Sequence, residues 1–261
     1  CMSILAVAMI CLFMFANGVP AIRQIGFVNF IFGKTWMPGA NKFGIFPMII
    51  GSIYVTAGAI IIGVPIGLLC AVFMAKFCPP KLHKIMKPAV DLLAGIPSII
   101  YGLFGMVFFG ISLHLGYSIL CGSLTLTLMV LPIIIRTTQE ALKTVPLGYR
   151  TGALGIGATK WYMIRTIILP SAMPGIVTAV ILSVGRIVGE SAALLFTAGS
   201  AYLLPKNLFS HVLTSGGTLT IQMYLSMSKA DYGNAFAIAL VLIVVVLAIN
   251  ALTKVATKKL S

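Results

Sequence analysis

Acidic residues are almost missing from this chain: four in 261 positions, Asp91, Glu140, Glu190 and Asp231. Charged residues of both signs make up 8% of it against 60% hydrophobic, and its mean hydropathy is +1.11. A water-soluble domain cannot cover its surface with so few charges, so the chain reads as an integral membrane protein. Cysteine is sparse and unpatterned. The five, at positions 1, 11, 70, 78 and 121, stand in or beside apolar stretches without paired spacing, as small buried hydrophobes do and a disulfide framework does not. His83, His114 and His211 have no Cys, Asp or Glu at ligand spacing, so no metal site is expected. The chain opens on Cys1 rather than Met, which points to sequence upstream, and residues 1–17 lack the basic n-region of a secretory signal.

Other absences narrow the chemistry. No G-x-x-x-x-G-K-[ST] is present; the nearest run, Gly155-Ile-Gly157-Ala-Thr-Lys160, puts Trp161 where the hydroxyl residue belongs, so ATP is not bound by that device. No Ser/His/Asp or H-E-x-x-H constellation offers hydrolysis in the membrane, which sets an intramembrane enzyme aside. The net charge of +14 comes without an aromatic-and-basic patch for stacking bases, so no nucleic acid is expected.

A helix crosses the hydrocarbon core in about 20 residues. Uncharged stretches place one span in 1–22, ending near Asn17-Gly18, and a second at about 48–75. Two more fall between Asp91 and Arg136, turned by a hairpin at 112–118. A fifth is expected at about 172–198 and a sixth at 232–253. In the second, Gly63-Val-Pro-Ile-Gly67 combines a proline kink with a small-xxx-small pair that admits a neighbouring helix closely. Six spans put both termini on one side. The loops 76–87, 136–165 and 254–259 hold twelve basic residues and the opposite loops five, so the first set is expected in the cytoplasm. The expected fold class is all-α integral membrane, six transmembrane helices with both termini cytoplasmic, divided into 1–47 (first helix and external linker) and 48–257 (the main transmembrane domain).

Two features stand out from the apolar background. Residues 140–170 carry Lys143, Arg150, Lys160 and Arg165, and glycines at 148, 152, 155 and 157 break their first half. Trp161, Ile164 and Ile168 share one helical face with Ile167 beside them. The segment reads as two short helices joined at a glycine turn and presented to a partner; the alternative is an amphipathic loop lying in the lipid interface. The second feature is intramembrane charge. Arg186 stands about 14 residues into the fifth span, roughly 21 Å deep at 1.5 Å per residue. On a continuous helix Ser183, Arg186, Glu190 and Thr197 fall within roughly a 60° arc. Such a stripe lines a solute path, with a forked guanidinium suited to an oxyanion and Glu190 holding the fork or accepting a proton. The alternative is an i,i+4 Arg–Glu pair that pins helix packing. Gly185 and Gly189 flank the stripe as packing residues. Ser98, Ser123, Thr125 and Thr127 are expected to bond back to carbonyls of their own helices, and Arg136 with Glu140 to anchor the fourth span at the interface.

Residues 149–170 resemble the cytoplasmic loop of bacterial ABC-importer permeases, whose signature is Glu-Ala-Ala, a glycine a few residues on, and an Ile-x-Leu-Pro ending. Thr151-Gly152-Ala153 occupies the first place, Gly157 the second and Ile167-Ile168-Leu169-Pro170 the third. In that family the loop forms coupling helices seated in a cleft of the ATPase subunit. The resemblance thus implies that Thr151, Gly152, Ala153, Gly157, Trp161, Ile164, Leu169 and Pro170, in a loop of about 137–170, couple this chain to an ATPase. Thr151 replaces the glutamate and Gly152 the first alanine, so the glutamate's ion pairs are absent and docking rests on shape and apolar contact.

Four further stretches resemble the permeases of the high-affinity phosphate importer: Gly95-Ile-Pro-Ser-Ile-Ile-Tyr-Gly102, residues 136–146, Gly185-Arg-Ile-Val-Gly-Glu190 and Leu194-Leu-Phe-Thr197. Residues 136–146 and 194–197 are nearer the PstA type, the linker at 27–46 the PstC type. The resemblance places the family's phosphate-path arginine at Arg186 and its acidic partner at Glu190. It implies a multi-pass subunit of the bacterial inner membrane, working with a second permease (hetero- or homodimer), two cytoplasmic ATPase subunits and an external phosphate-binding protein. ATP and magnesium would be held by the ATPase, with no cofactor on this chain. A permease for sulfate or molybdate and a self-sufficient secondary transporter remain the alternatives.

Overall fold

The computed structural model describes residues 2–202, 204 and 210–260. Lys206, and the side chains of Lys254, Lys258 and Lys259, lie outside the described residues. The chain is helical almost throughout and divides into two compact units, one built from 1–58, 98–126 and 188–248, the other from 59–97, 127–187 and 249–261.

The helices are α1 (Met2–Ile25), α2 (Phe27–Phe32), α3 (Phe46–Val72), α4 (Pro80–Gly95), α5 (Ser98–Gly105), α6 (Ile119–Thr144), α7 (Leu147–Gly155), α8 (Lys160–Met163), α9 (Leu169–Ser171), α10 (Met173–Val188), α11 (Ala192–Thr197), α12 (Leu219–Ser228) and α13 (Tyr232–Leu260). π-helical turns follow α3 (Phe73–Phe77), α5 (Met106–Ser112) and α8 (Ile164–Ile168). A two-residue-per-strand hairpin, β1 (Trp36–Met37) and β2 (Lys42–Phe43), occupies the linker, with Trp36 paired to Phe43. Among the described residues, Met2–Ile25, Phe46–Phe77, Ile119–Thr144 and Tyr232–Ile249 are long and apolar enough to cross a membrane. Pro80–Gly95 with Ser98–Ser112, and Lys160–Ser171 with Met173–Val188, pass only as broken pairs.

Several expected boundaries move. The first span does not end at Asn17-Gly18. Asn17 donates its side-chain amide to the Phe13 carbonyl at 2.8 Å, and α1 runs on to Ile25. Gly18 is instead a contact point, since a Cβ there would lie 2.8 Å from the Phe236 carbonyl oxygen of α13. Phe13 packs edge-on against Phe236 with centroids 5.4 Å apart. The third span breaks at Ile96-Pro97, because proline offers no N–H and forces Ile96 into extended backbone (φ −71, ψ 129). The hairpin at 112–118 forms, with His114 (φ 55) and Gly116 (φ 57) both left-handed. The fourth span continues to Thr144, so 137–144 belongs to α6 rather than to a loop.

In the second unit α3 packs on α6 through the predicted glycine pair, and α3 is helical through Pro65. A Cβ on Gly63 would stand 3.6 Å from Thr127 Cγ2, an ordinary contact; one on Gly67 would stand 2.6 Å from Ile134 Cγ2. The expected result is asymmetric. Gly63→Ala is tolerated, whereas Gly67→Val overpacks the contact and costs about 1–3 kcal/mol, visible as a lower thermal midpoint in detergent.

Candidate functional site

The segment between α6 and α10 lies wholly within the second unit and has two faces. Its inner face is a core of Ala153, Met163, Ile164 and Ile168 packed with Val72, Leu142, Val145, Ala172 and Ile176. Leu147, Tyr149, Leu154, Ile156, Trp161 and Tyr162 are exposed, Ile156 most of all at 85%. The expected shared face of Trp161 with Ile164 and Ile168 is therefore divided. Trp161 points outward, while Ile164 and Ile168 are fully buried as the helix widens to a π turn at Ile164.

The turn between α7 and α8 is a glycine C-cap. Gly157 has φ +80, its N–H reaches the Leu154 carbonyl and the Ala158 N–H reaches that of Ala153, both at 3.0 Å. This is the Schellman arrangement, which needs a left-handed residue at Gly157. Thr159 then caps α8 by accepting from the Tyr162 N–H. No described atom lies within 4 Å of where a Cβ would stand on Gly148, Gly152, Gly155 or Gly157, so this surface is open.

Basic side chains fasten the segment. Lys76 and Arg150 both donate to the Leu142 carbonyl near the end of α6, at 3.4 and 3.3 Å. Lys160 Nζ sits 4.8 Å from the centre of the Phe77 ring. Thr151 keeps its hydroxyl on the Leu147 and Gly148 carbonyls. Of the residues assigned to coupling, Thr151, Gly152, Gly157, Trp161 and Pro170 are thus on the outer side, Ala153 and Ile164 inside, and Leu169 half-buried against the core.

The charged stripe is reorganised. α10 ends at Val188 rather than continuing to 198, so the one-helix arc through Ser183, Arg186, Glu190 and Thr197 does not exist. Ser183 and Arg186 belong to the second unit, Glu190 and Thr197 to the first. Ser183 is buried with its hydroxyl on the Ala179 carbonyl, and Thr197 is buried on that of Ala193, both at 2.8 Å. Arg186 is exposed in the last turn of α10. Glu190 is buried in the break, where its carboxylate accepts the Ala193 N–H at 3.2 Å and so caps α11. The Thr220 hydroxyl of α12 donates to the Glu190 carbonyl at 2.8 Å. Gly185 has open space around it, so its expected packing role is not seen among the described residues.

Of the hydroxyls expected to bond back within their helices, at least two do so. Ser123 and Thr125 bond back to Ile119 and Cys121, but Ser123 also reaches the Val55 carbonyl, and Thr127 reaches that of Ala59, each across to α3. Sequence reasoning missed two polar clusters. On α12, Gln222 accepts from the Tyr202 hydroxyl and donates to Ser226; no local pattern announces it. Arg136 pairs with Asp91 of α4, not with Glu140. The pair borders a cavity of about 300 Å³ with Lys87, Gln139, Glu140 and Lys143.

Residues 63–261 match the family described as binding-protein-dependent transport system inner membrane component. The chain is 31% identical over 266 residues to the Phosphate transport system permease protein PstC of Mesorhizobium japonicum, a match covering 92% of this chain and 81% of that one. It is also 31% identical over 207 residues to the Phosphate transport system permease protein PstA 1 of Mycobacterium tuberculosis (strain CDC 1551 / Oshkosh), covering 79% and 68%. In architecture it is similar to a bacterial alginate ABC transporter solved in complex with alginate pentasaccharide-bound periplasmic protein. There the TM-score is 0.65 at 18% identity, over 98% of this chain and 94% of that one.

Proposed function

The chain belongs to the binding-protein-dependent transport system inner membrane components, as a permease subunit of an ABC importer, and from that premise we propose that it forms part of the path for inorganic phosphate. The observation carrying this reading is the similarity, over most of the chain, to phosphate-transport permeases of both the PstC and the PstA type. Arg186 supports it. Charged side chains within transmembrane segments face water, solute or protein rather than lipid, and Arg186 is an exposed cation on an otherwise apolar helix. The open end of α10 then offers a forked donor to an oxyanion. Glu190 serves its own unit, its carboxylate taking the Ala193 N–H in the first turn of α11.

The remaining parts fit the same reading. Six crossings, counting each broken pair once, put both termini and 144–168 in the cytoplasm of a bacterial inner-membrane protein. The outer face of α7 and α8 docks on one of two ATPase subunits, which bind ATP and magnesium; a second permease and an external phosphate-binding protein complete the importer. Its test is reconstitution of the chain with its second permease, ATPase and binding protein, measuring ATP hydrolysis against a panel of anions. Stimulation by phosphate is expected. Stimulation by sulfate or molybdate instead overturns the substrate, and phosphate uptake into vesicles by this chain alone overturns the coupling.

A further inference from the structure

The helix α4 presents an apolar face that no described residue covers, and its roll about its own axis is fixed. Met86 and Val90 pack on Ala71, Met74, Leu131 and Ile135. The next residue, Asp91, pairs with Arg136. These contacts turn Leu82, Ile85, Ala89 and Leu92, which fall within roughly an 80° arc, away from that core. Ile85 is 70% and Leu92 72% exposed. Lys81 is exposed at the edge of that stripe and Lys84 is exposed roughly 80° further round the helix, while Lys87 stands opposite the stripe, on the cavity that the Asp91–Arg136 pair borders. α4 cannot be a crossing itself, because it carries three lysines and an aspartate in 16 residues. It also ends at Ile96-Pro97, so the next crossing has only residues 98–112, roughly 22 Å of helix. The apolar run from Leu92 to Ala94 leads into it.

We propose that α4 lies in the membrane interface with Leu82, Ile85, Ala89 and Leu92 among the lipid chains and Lys81 and Lys84 on the phosphates of anionic lipids. The argument is one of complementarity. A helix with an apolar face, a lysine flank and a fixed roll matches an anionic bilayer surface, which supplies hydrocarbon and phosphate in the order the helix presents them. A soluble protein partner would leave the flanking lysines without that ordered pairing. Each lysine near an anionic surface contributes roughly a fivefold preference.

The test uses the full chain in nanodiscs of phosphatidylcholine with or without phosphatidylglycerol, with a fluorophore on Leu92→Cys in a background freed of native cysteines. Lipids brominated on their chains are expected to quench the probe, and brominated phosphatidylglycerol more strongly than brominated phosphatidylcholine. Lys81→Gln with Lys84→Gln should lower that preference several-fold, and Lys87→Gln should leave it unchanged. Quenching by aqueous iodide but not by brominated lipid overturns the proposal, as does a probe reached by lipid only until the ATPase subunit is added. Equal loss of preference from Lys87→Gln also overturns it, since the charge effect would then not belong to the flank of the stripe.

Discussion

Replacing Arg186 with alanine is expected to abolish phosphate uptake while the complex still assembles. Two roles for this residue differ in size. A cation in the last turn of a helix complements its dipole by about 0.3–1 kcal/mol, and α10 holds Arg186 in that position. A guanidinium hydrogen-bonded to a desolvated anion contributes far more: removing one partner of such a pair costs about 2–5 kcal/mol, roughly thirty- to several-thousandfold. Uptake in Arg186→Ala at or below one-thirtieth of the wild-type rate, with unchanged yield of complex, assigns the second role. Uptake within fivefold of wild type leaves only the helix dipole. Arg186→Lys separates charge from shape: it keeps the charge but loses the fork, so intermediate transport is expected.

Gly157 supplies the second large effect. A β-branched residue there must adopt φ +80, at a cost of about 1–3 kcal/mol, yet it meets no described atom within 4 Å. Gly157→Val should therefore leave the chain folded and membrane-inserted. Its consequences are expected at the outer surface, where the turn between α7 and α8 shifts and a side chain stands on the face proposed to dock the ATPase. Co-purification of the ATPase should fall steeply, and hydrolysis that remains should no longer respond to the binding protein. Gly157→Asn is the control, because asparagine tolerates the left-handed region; it should retain more coupling than valine. Full retention of the ATPase by Gly157→Val would show that this turn is not part of the docking surface.

The sequence made some of this legible for physical reasons that are local. The hairpin at 112–118 rests on residues that accept left-handed backbone, and the glycine turn at 157 on the C-cap of α7. The Gly63–Gly67 spacing put both glycines on the face turned to α6, and the close approach falls at Gly67. The features that stayed hidden depend on contacts from far along the chain. Gly18 looks like a stop in isolation, but 218 positions later Phe236 gives it a packing partner and α1 continues. Arg136 has an i,i+4 glutamate in reach, and still pairs with Asp91, 45 residues away. Trp161, in the first turn of α8, stays outside while Ile164, three residues on and roughly 60° round the helix, is buried in a core with Val72, Leu142 and Ile176 from elsewhere in the chain. The charged stripe failed because its arithmetic assumed a continuous helix, and the chain breaks at 189–191 with the Glu190 carboxylate capping α11.

The central claim is that the open face of α7 and α8 lies inside the cell and is gripped by an ATPase. Its most direct measurement is thiol labelling at Ile156→Cys, the most exposed large residue of that turn, in a background without the native cysteines. A membrane-impermeant maleimide should leave intact cells unlabelled, react after permeabilisation, and react more slowly once the ATPase is bound. Labelling of intact cells would contradict the account.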